Sequence, residues 1–328
     1  MAGDVASRAS LVARIPQLHA IEARLPLARR LEAGRQLRVL SVDLKPLRHV
    51  EPVMSLVAES RAEVAFLVGA DLGMARSHNR HVVAELAQRL GWGYAFGVEC
   101  VELGPADLGP RAREDHPPDL AGLHGHALLS LFVLRRVAMV RLAAPDAGFD
   151  GHRGQTRIGS RIALFAQVEL LGTPVTLVCT RLGDHDPEAR AQRMEVLLDA
   201  LEGYDRQAAV LMGGDFRGSG SCAAQPREGT AMEEARARDP HRLFELERFE
   251  SLLAMAGARR FVWQACDPPA GPTEGSRPDG SPRPARRCGG FFARQLSCRD
   301  RFALAAVDER GDGLCHSVAL GVTIEPAG

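Results

Sequence analysis

The chain has 328 residues with 41 acidic and 41 basic side chains, so its formal net charge at pH 7 is zero, and its apolar fraction of 45% suffices for one large or two ordinary cores. That composition excludes a wholly disordered chain, and the charge balance argues against strong non-specific binding to nucleic acid. No run approaches the roughly 18 consecutive apolar residues of a membrane span. Arg8, Arg14, Arg24, Arg29 and Arg30 interrupt the stretch where a secretory leader would be apolar, so a cytoplasmic protein without membrane contact is expected. Lys45 is the only lysine among the 41 basic residues, an arginine bias that reads as genomic base composition. Cys100, Cys179, Cys222, Cys266, Cys288, Cys298 and Cys315 form no C-x-x-C pair, which suggests neither a zinc ribbon nor a disulfide framework.

Residues 1–36 are predicted as an amphipathic helical lead-in, because Leu11, Ile15, Leu18, Ile21 and Leu25 recur at spacings of three and four. Pro16 and Pro26 start or kink segments within it. At Leu37 the period changes: Leu37-Arg-Val-Leu-Ser-Val-Asp43-Leu reads as a strand, and Val64-Ala-Phe-Leu-Val-Gly69 as a second, buried one. Val82, Val83, Leu86 and Leu90 mark one face of a helix between about His78 and Leu90. Trp92 to Leu103 follows as one or two strands broken near Gly97, and further strands are predicted at Ala127–Leu134, Val137–Leu142, Ile162–Leu170, Val175–Cys179 and Ala208–Met212.

Asp186-Pro187-Glu188 supplies an N-cap, a proline at the first helical position and an acidic first turn, opening a helix faced by Ala191, Met194, Leu197, Leu198 and Leu201. Asp239-Pro240 repeats the device before Leu243, Leu246, Phe249 and Leu253, with Gly257 as the expected stop. Late strands fall near Phe261–Gln264, Phe291–Ala293, Phe302–Ala306 and Ser317–Ile324, while Asp267–Arg287, rich in Pro, Gly, Ser and Arg, is expected to be a mobile surface loop. Many strands with few, widely separated helices do not fit a doubly wound parallel sheet. They fit two mainly antiparallel sheets packed face to face with helices outside, as one domain over 37–328.

Several of these segments also match a known pattern in order and spacing. Leu37 to Leu44 looks like a first strand, and Asp71-Leu-Gly-Met-Ala-Arg-Ser-His-Asn with Tyr94-Ala-Phe-Gly-Val-Glu resembles a bacterial branch. Gly122-Leu-His-Gly-His-Ala-Leu-Leu-Ser stands for G-x-x-G-N-A-I-L-S, Val178-Cys-Thr-Arg-Leu for a T-H-L segment, and Gly213-Gly-Asp-Phe-Arg for G-D-x-N. Arg287-Cys-Gly-Gly-Phe-Phe stands for L-D-W-F-F and Leu314-Cys-His-Ser for a final S-D-H. Over roughly Leu37 to Ile324 the sequence resembles the endonuclease/exonuclease/phosphatase family. The resemblance implies an α/β (α+β), deoxyribonuclease-I-like fold: a four-layer αββα sandwich. It also implies phosphodiesterase, nuclease or phosphatase chemistry, in which Mg²⁺ or Mn²⁺ neutralises phosphate charge and an aspartate-backed histidine helps to activate water.

Carried over residue by residue, the resemblance implies a degenerate site. Asp215 and His316 keep their family positions. Asp43 stands for the first-strand Asn, Gly69 for the metal-binding Glu, and His126 for the Asn of the H-G-N segment. Arg181 replaces the T-H-L histidine, Arg217 the Asn of D-x-N, Gly289 the aspartate that orients the terminal histidine, and Cys315 the Asp beside that histidine. Permanent guanidinium charges at 181 and 217 oppose a divalent ion, and with His126 they are expected to hold a phosphate or phosphoester instead.

A rescue of metal binding would use Asp71, two residues beyond Gly69 and on the same side of a regular strand, together with Asp43. His124, His126 and His185 lack a helical metal-ligand spacing, Cys179 and Cys315 read as packed thiols, and Asp71, Arg76 and Asn79 suit either a capped turn or the site. Three functions follow: a catalytically degenerate phosphoester-binding protein, an active Mg²⁺-dependent phosphodiesterase or nuclease using Asp43, Asp71, Asp215 and His316, or a structural and interaction protein.

Overall fold

The strands of the central region are apolar on both faces because each sheet is covered twice. The computed structural model describes all residues except 1–11, 48, 104–117, 143–156, 184–186, 207, 217–249, 267–272, 277–281, 285–288, 308–313, 315–317 and 328. Its strands are β1 (Ile21–Arg24), β2 (Leu37–Asp43), β3 (Val64–Leu72), β4 (Gly93–Glu102), β5 (Leu123–Ser130), β6 (Arg135–Arg141), β7 (Arg157–Gly159), β8 (Ile162–Leu170), β9 (Thr173–Arg181), β10 (Ala209–Asp215), β11 (Thr273–Ser276), β12 (Pro282–Pro284), β13 (Gly289–Arg294), β14 (Leu296–Leu304) and β15 (Ala319–Pro326). The helices are α1 (Glu51–Ser60), α2 (Val82–Leu90), α3 (Pro187–Asp205) and α4 (Ser251–Ala258).

The first sheet has the order β1-β4-β5-β3-β2-β15-β14, with β7 also paired to β4, and the second has the order β13-β10-β9-β8-β6. Within them β2–β3 and β9–β10 are parallel, and the other described ladders are antiparallel. Period-2 alternation divides the side chains between layers. In β3, Val64, Phe66 and Val68 enter the core between the sheets, whereas Ala65 and Leu67 meet α1 and α2 through Val53, Leu56, Val57, Val83 and Leu86. In β10, Ala209 and Leu211 face the first sheet, while Val210 and Met212 meet α3 and α4 through Met194, Leu197, Leu201, Leu252 and Ala256. Each large apolar side chain so buried contributes about 1.5–3 kcal/mol. The result is the four-layer αββα sandwich implied by the sequence.

Several expectations need correction. Pro16–Leu18 is one 3-10 turn and Ile21–Arg24 is a strand paired with β4, so the described part of 1–36 is not an amphipathic helix. The spacing that suggests a helix there arises because Ile21 packs on the inter-sheet core while Leu18 lies in the outer one. β4 runs unbroken through Gly97, where a Cβ would come within 2.7 Å of Met139 Sδ, so the glycine marks close approach of the second sheet. Gly257 lies inside α4 instead of beyond it, and Phe261–Gln264 contributes only a bridge from Val262 to Ala293. The Asp239-Pro240 cap lies outside the described residues. Within Asp267–Arg287, β11 and β12 pair as an antiparallel ladder. Among the described residues, no helix is long and apolar enough to cross a membrane.

Candidate functional site

Asp43 is the last residue of β2, Arg181 of β9 and Asp215 of β10, and Asp215 pairs across its ladders with Arg181 on one side and Gly289 on the other. The parallel pairings and the facing of the two sheets bring these strand ends together. The Arg181 side chain crosses from the second sheet to the first: Nη2 donates to Asp43 Oδ1, and Nε lies 3.8 Å from Asp215 Oδ2. Burial opposes the Arg181 charge, but Asp43, Glu99 and Asp215 more than compensate and hold its pKa above the usual arginine value.

Gly69 explains how the guanidinium fits. The β3–β5 register shifts between Val68 and Ala70, which makes Gly69 the extra residue of a bulge, and its φ of 80° lies in the left-handed region that favours glycine. A Cβ at Gly69 would lie 3.2 Å from Arg181 Nη2 and 3.2 Å from the Leu44 carbonyl oxygen. The space of a side chain at 69 is therefore taken by the arginine. The Gly69 N–H donates to His126 Nδ1 at 3.3 Å. On the other side of that ring, His126 Nε2 is 3.5 Å from Glu99 Oε1 and makes no hydrogen bond among the described residues.

Glu99 sits at the matching register shift in β4, is fully buried, and accepts from Arg161 Nη1 at 2.8 Å. Burial alone would raise its pKa; the Arg161 guanidinium, with the adjoining His126 ring and Arg181, outweighs this and holds the carboxyl well below the usual range. Burial lowers the pKa of His126 and favours the neutral ring. Around Arg181, then, the carboxylates of Asp43, Asp215 and Glu99 face the guanidinium groups of Arg181 and Arg161, and Arg141 donates to the Glu99 carbonyl oxygen at 3.2 Å.

A second buried network adjoins the first. Asp71 accepts from Arg76 at 2.7 and 2.9 Å and from Ser77 Oγ at 2.6 Å, and His124 Nδ1 lies 2.8 Å from Asp71 Oδ1. Arg76 also reaches Glu102 at 2.9 Å, which Arg157 meets at 2.7 Å from the far side. Burial would raise the Asp71 carboxyl, yet Arg76 and His124 together hold it well below its ordinary value. The bulge at Gly69 interrupts the alternation that would have set Asp71 beside Asp43.

The sequence matches no protein-family model and no curated protein. Solved structures do match it. An endonuclease/exonuclease/phosphatase from Beutenbergia cavernae DSM 12333 aligns at 17% identity and a TM-score of 0.56, covering 90% of this chain and 72% of that one. The human Nocturnin catalytic domain with bound sulfate anion aligns at 16% identity and a TM-score of 0.52 over 92% of this chain and 100% of that one. A humanized D. rerio TDP2 carrying 14 mutations aligns at 12% identity and a TM-score of 0.52 over 89% of this chain and 99% of that one. The chain has the endonuclease/exonuclease/phosphatase fold.

At the end of that fold where Asp43, Gly69, His126, Arg181, Asp215 and Gly289 meet, the residues present do not suit a divalent ion. The Arg181 guanidinium lies on both Asp43 and Asp215, and position 69 offers no carboxylate. Asp71, expected as a displaced metal ligand, is engaged by Arg76, Ser77 and His124. Among the described residues no three His, Cys, Asp or Glu side chains gather as a metal site.

Of the residues expected to hold phosphate, Arg181 lies between two carboxylates and His126 is fully buried. Arg217, Cys315, His316 and His185 lie outside the described residues. Cys179 is fully buried and its thiol is pushed up by that burial. Glu99 and Arg161 are site residues that the sequence reading does not single out. A glutamate inside an apolar strand is the one available signal, because a buried charge requires a partner.

Proposed function

We propose that this chain is a phosphoester-hydrolase-like protein that has exchanged a bound divalent cation for an internal one, and that it acts as a binding or interaction scaffold without phosphoester turnover. The observation that carries this reading is the Arg181 guanidinium, set against Gly69 and between Asp43 and Asp215. It supplies one positive charge where the chemistry of the resembled family uses a metal. A guanidinium is permanently protonated and has no open coordination position at which to polarise phosphate or lower the pKa of water. His126, neutral and enclosed, has no route to a solvent proton.

The reading with displaced ligands lacks a supporting contact, since Asp71 and Asp43 are each held by an arginine. Phosphate binding at Arg181 would require an anion to displace Asp43 or Asp215 from the guanidinium. The test is hydrolysis of a p-nitrophenyl phosphodiester and of short oligonucleotides by the purified chain with millimolar Mg²⁺ or Mn²⁺. Turnover at the level of the uncatalysed reaction is expected, because each missing electrostatic or general-base contribution commonly costs about two to four decades. Metal-dependent turnover that Asp215→Ala abolishes would overturn the proposal.

A further inference from the structure

Away from the strand ends, two cysteines face each other at the rim of the inter-sheet core. Cys266 closes the turn that follows Val262, the residue bridged to Ala293 of β13, and Cys298 lies in β14 opposite Ile324 of β15. Their sulfurs are 2.7 Å apart, 32 residues distant in sequence. That leaves less than an ångström to the roughly 2.05 Å of a disulfide bond. Cys266 is fully buried, whereas Cys298 retains solvent access. Arg301 donates from Nη1 to the Gln264 carbonyl oxygen at 3.3 Å and so places a guanidinium beside the pair.

We propose that Cys266 and Cys298 are a reversible thiol pair that hydrogen peroxide converts to a disulfide joining the turn after the Val262 bridge to β14, an edge strand of the first sheet. Cys298 is the attacking sulfur. The hydrogen bond with Cys266 lowers its pKa against the opposing effect of burial, and Arg301 adds to the lowering. The Cys298 thiolate attacks one peroxide oxygen; the S–O bond forms as the O–O bond breaks, and the departing hydroxide takes a proton to become water. The Cys266 sulfur then attacks the sulfenic sulfur, the S–S bond forms as the S–O bond breaks, and the departing hydroxide takes the Cys266 proton. Two thiols lose two electrons to one peroxide, and two waters are released. Cys100 and Cys179 differ: both are fully buried, and burial pushes the Cys100 thiol up to about 12, which suppresses the reactive thiolate.

The test uses the full chain, reduced and desalted, then exposed to hydrogen peroxide and quenched by alkylation in denaturant. Of the seven thiols, two are expected to disappear. Peptide mapping should find one crosslink, between Cys266 and Cys298, that dithiothreitol reverses. The Cys266→Ser variant should instead yield a Cys298 sulfenic acid that dimedone traps, and Cys298→Ser should give neither product. Retention of all seven thiols in the folded parent, or a crosslink that maps to other cysteines, overturns the proposal. Because the parent mapping alone decides the matter, poor folding of either serine variant would leave the test intact.

Discussion

Substituting Arg181 takes a positive charge from between two carboxylates that the fold holds in place. Removing one partner of a buried ion pair costs about 3–5 kcal/mol, so Arg181→Ala is expected to lose stability on that scale in denaturant titration. The variant should also acquire a response that the parent lacks. Millimolar Mg²⁺ should raise its thermal midpoint, because a divalent ion can then take the guanidinium's place between Asp43 and Asp215. Equal stability of the two proteins, or an equal Mg²⁺ response, would show that the guanidinium does not fill the metal's electrostatic role. Asp43, Arg181 and Asp215 are legible because each sits in a short motif at a strand end, and Gly69 because it is the bulge residue of an apolar strand. Nothing comparable announces Arg161, whose meeting with Glu99 depends on how β8 is packed against β4.

At the scale of elements, α3 shows which sequence signals survive folding. It begins at Pro187 with Glu188 in its first turn as expected, while the Asp186 cap lies outside the described residues, and Met194, Leu197, Leu198 and Leu201 are on its buried face. Gly203 lies on the exposed side with no atom within 4 Å of a Cβ built there. Gly203→Ala is therefore expected to stabilise the protein by about 0.5–1 kcal/mol, read as a raised denaturant midpoint at unchanged m-value. A loss of stability would mean that the glycine has a role beyond the helix. The same grammar is present in α1, where Glu51-Pro52 precedes Val53, Leu56 and Val57. Helix α1 carries no expectation in the sequence reading because its ten residues offer just over two turns of periodicity. β1 was harder to read for another reason: an edge strand of four residues shows too little alternation to compete with a helical spacing. The pairing of β11 with β12 is hidden in the sequence by the loop-like composition of 267–287.

For the molecule as a whole, the buried carboxylates set its response to acid. Asp71 and Glu99 have folded-state pKa values below those of the unfolded chain, so the unfolded chain takes up protons first as the pH falls. Their contribution is complete above about pH 4.5, the unfolded carboxylate range, and is lost as pH falls through the folded values. A denaturation series should show stability falling below about pH 4.5, with Asp71→Asn flattening part of that slope; an unchanged slope would contradict the ion-pair network. The strand order has a different consequence, for synthesis. β15 fills the gap between β2 and β14, so a strand made long after β2 takes an interior place in the first sheet, beside its edge strand. Until it arrives, β2 presents an unpaired edge lined by Leu37 and Val39, and the nascent chain needs shielding from other strands while everything between β2 and β15 is being made.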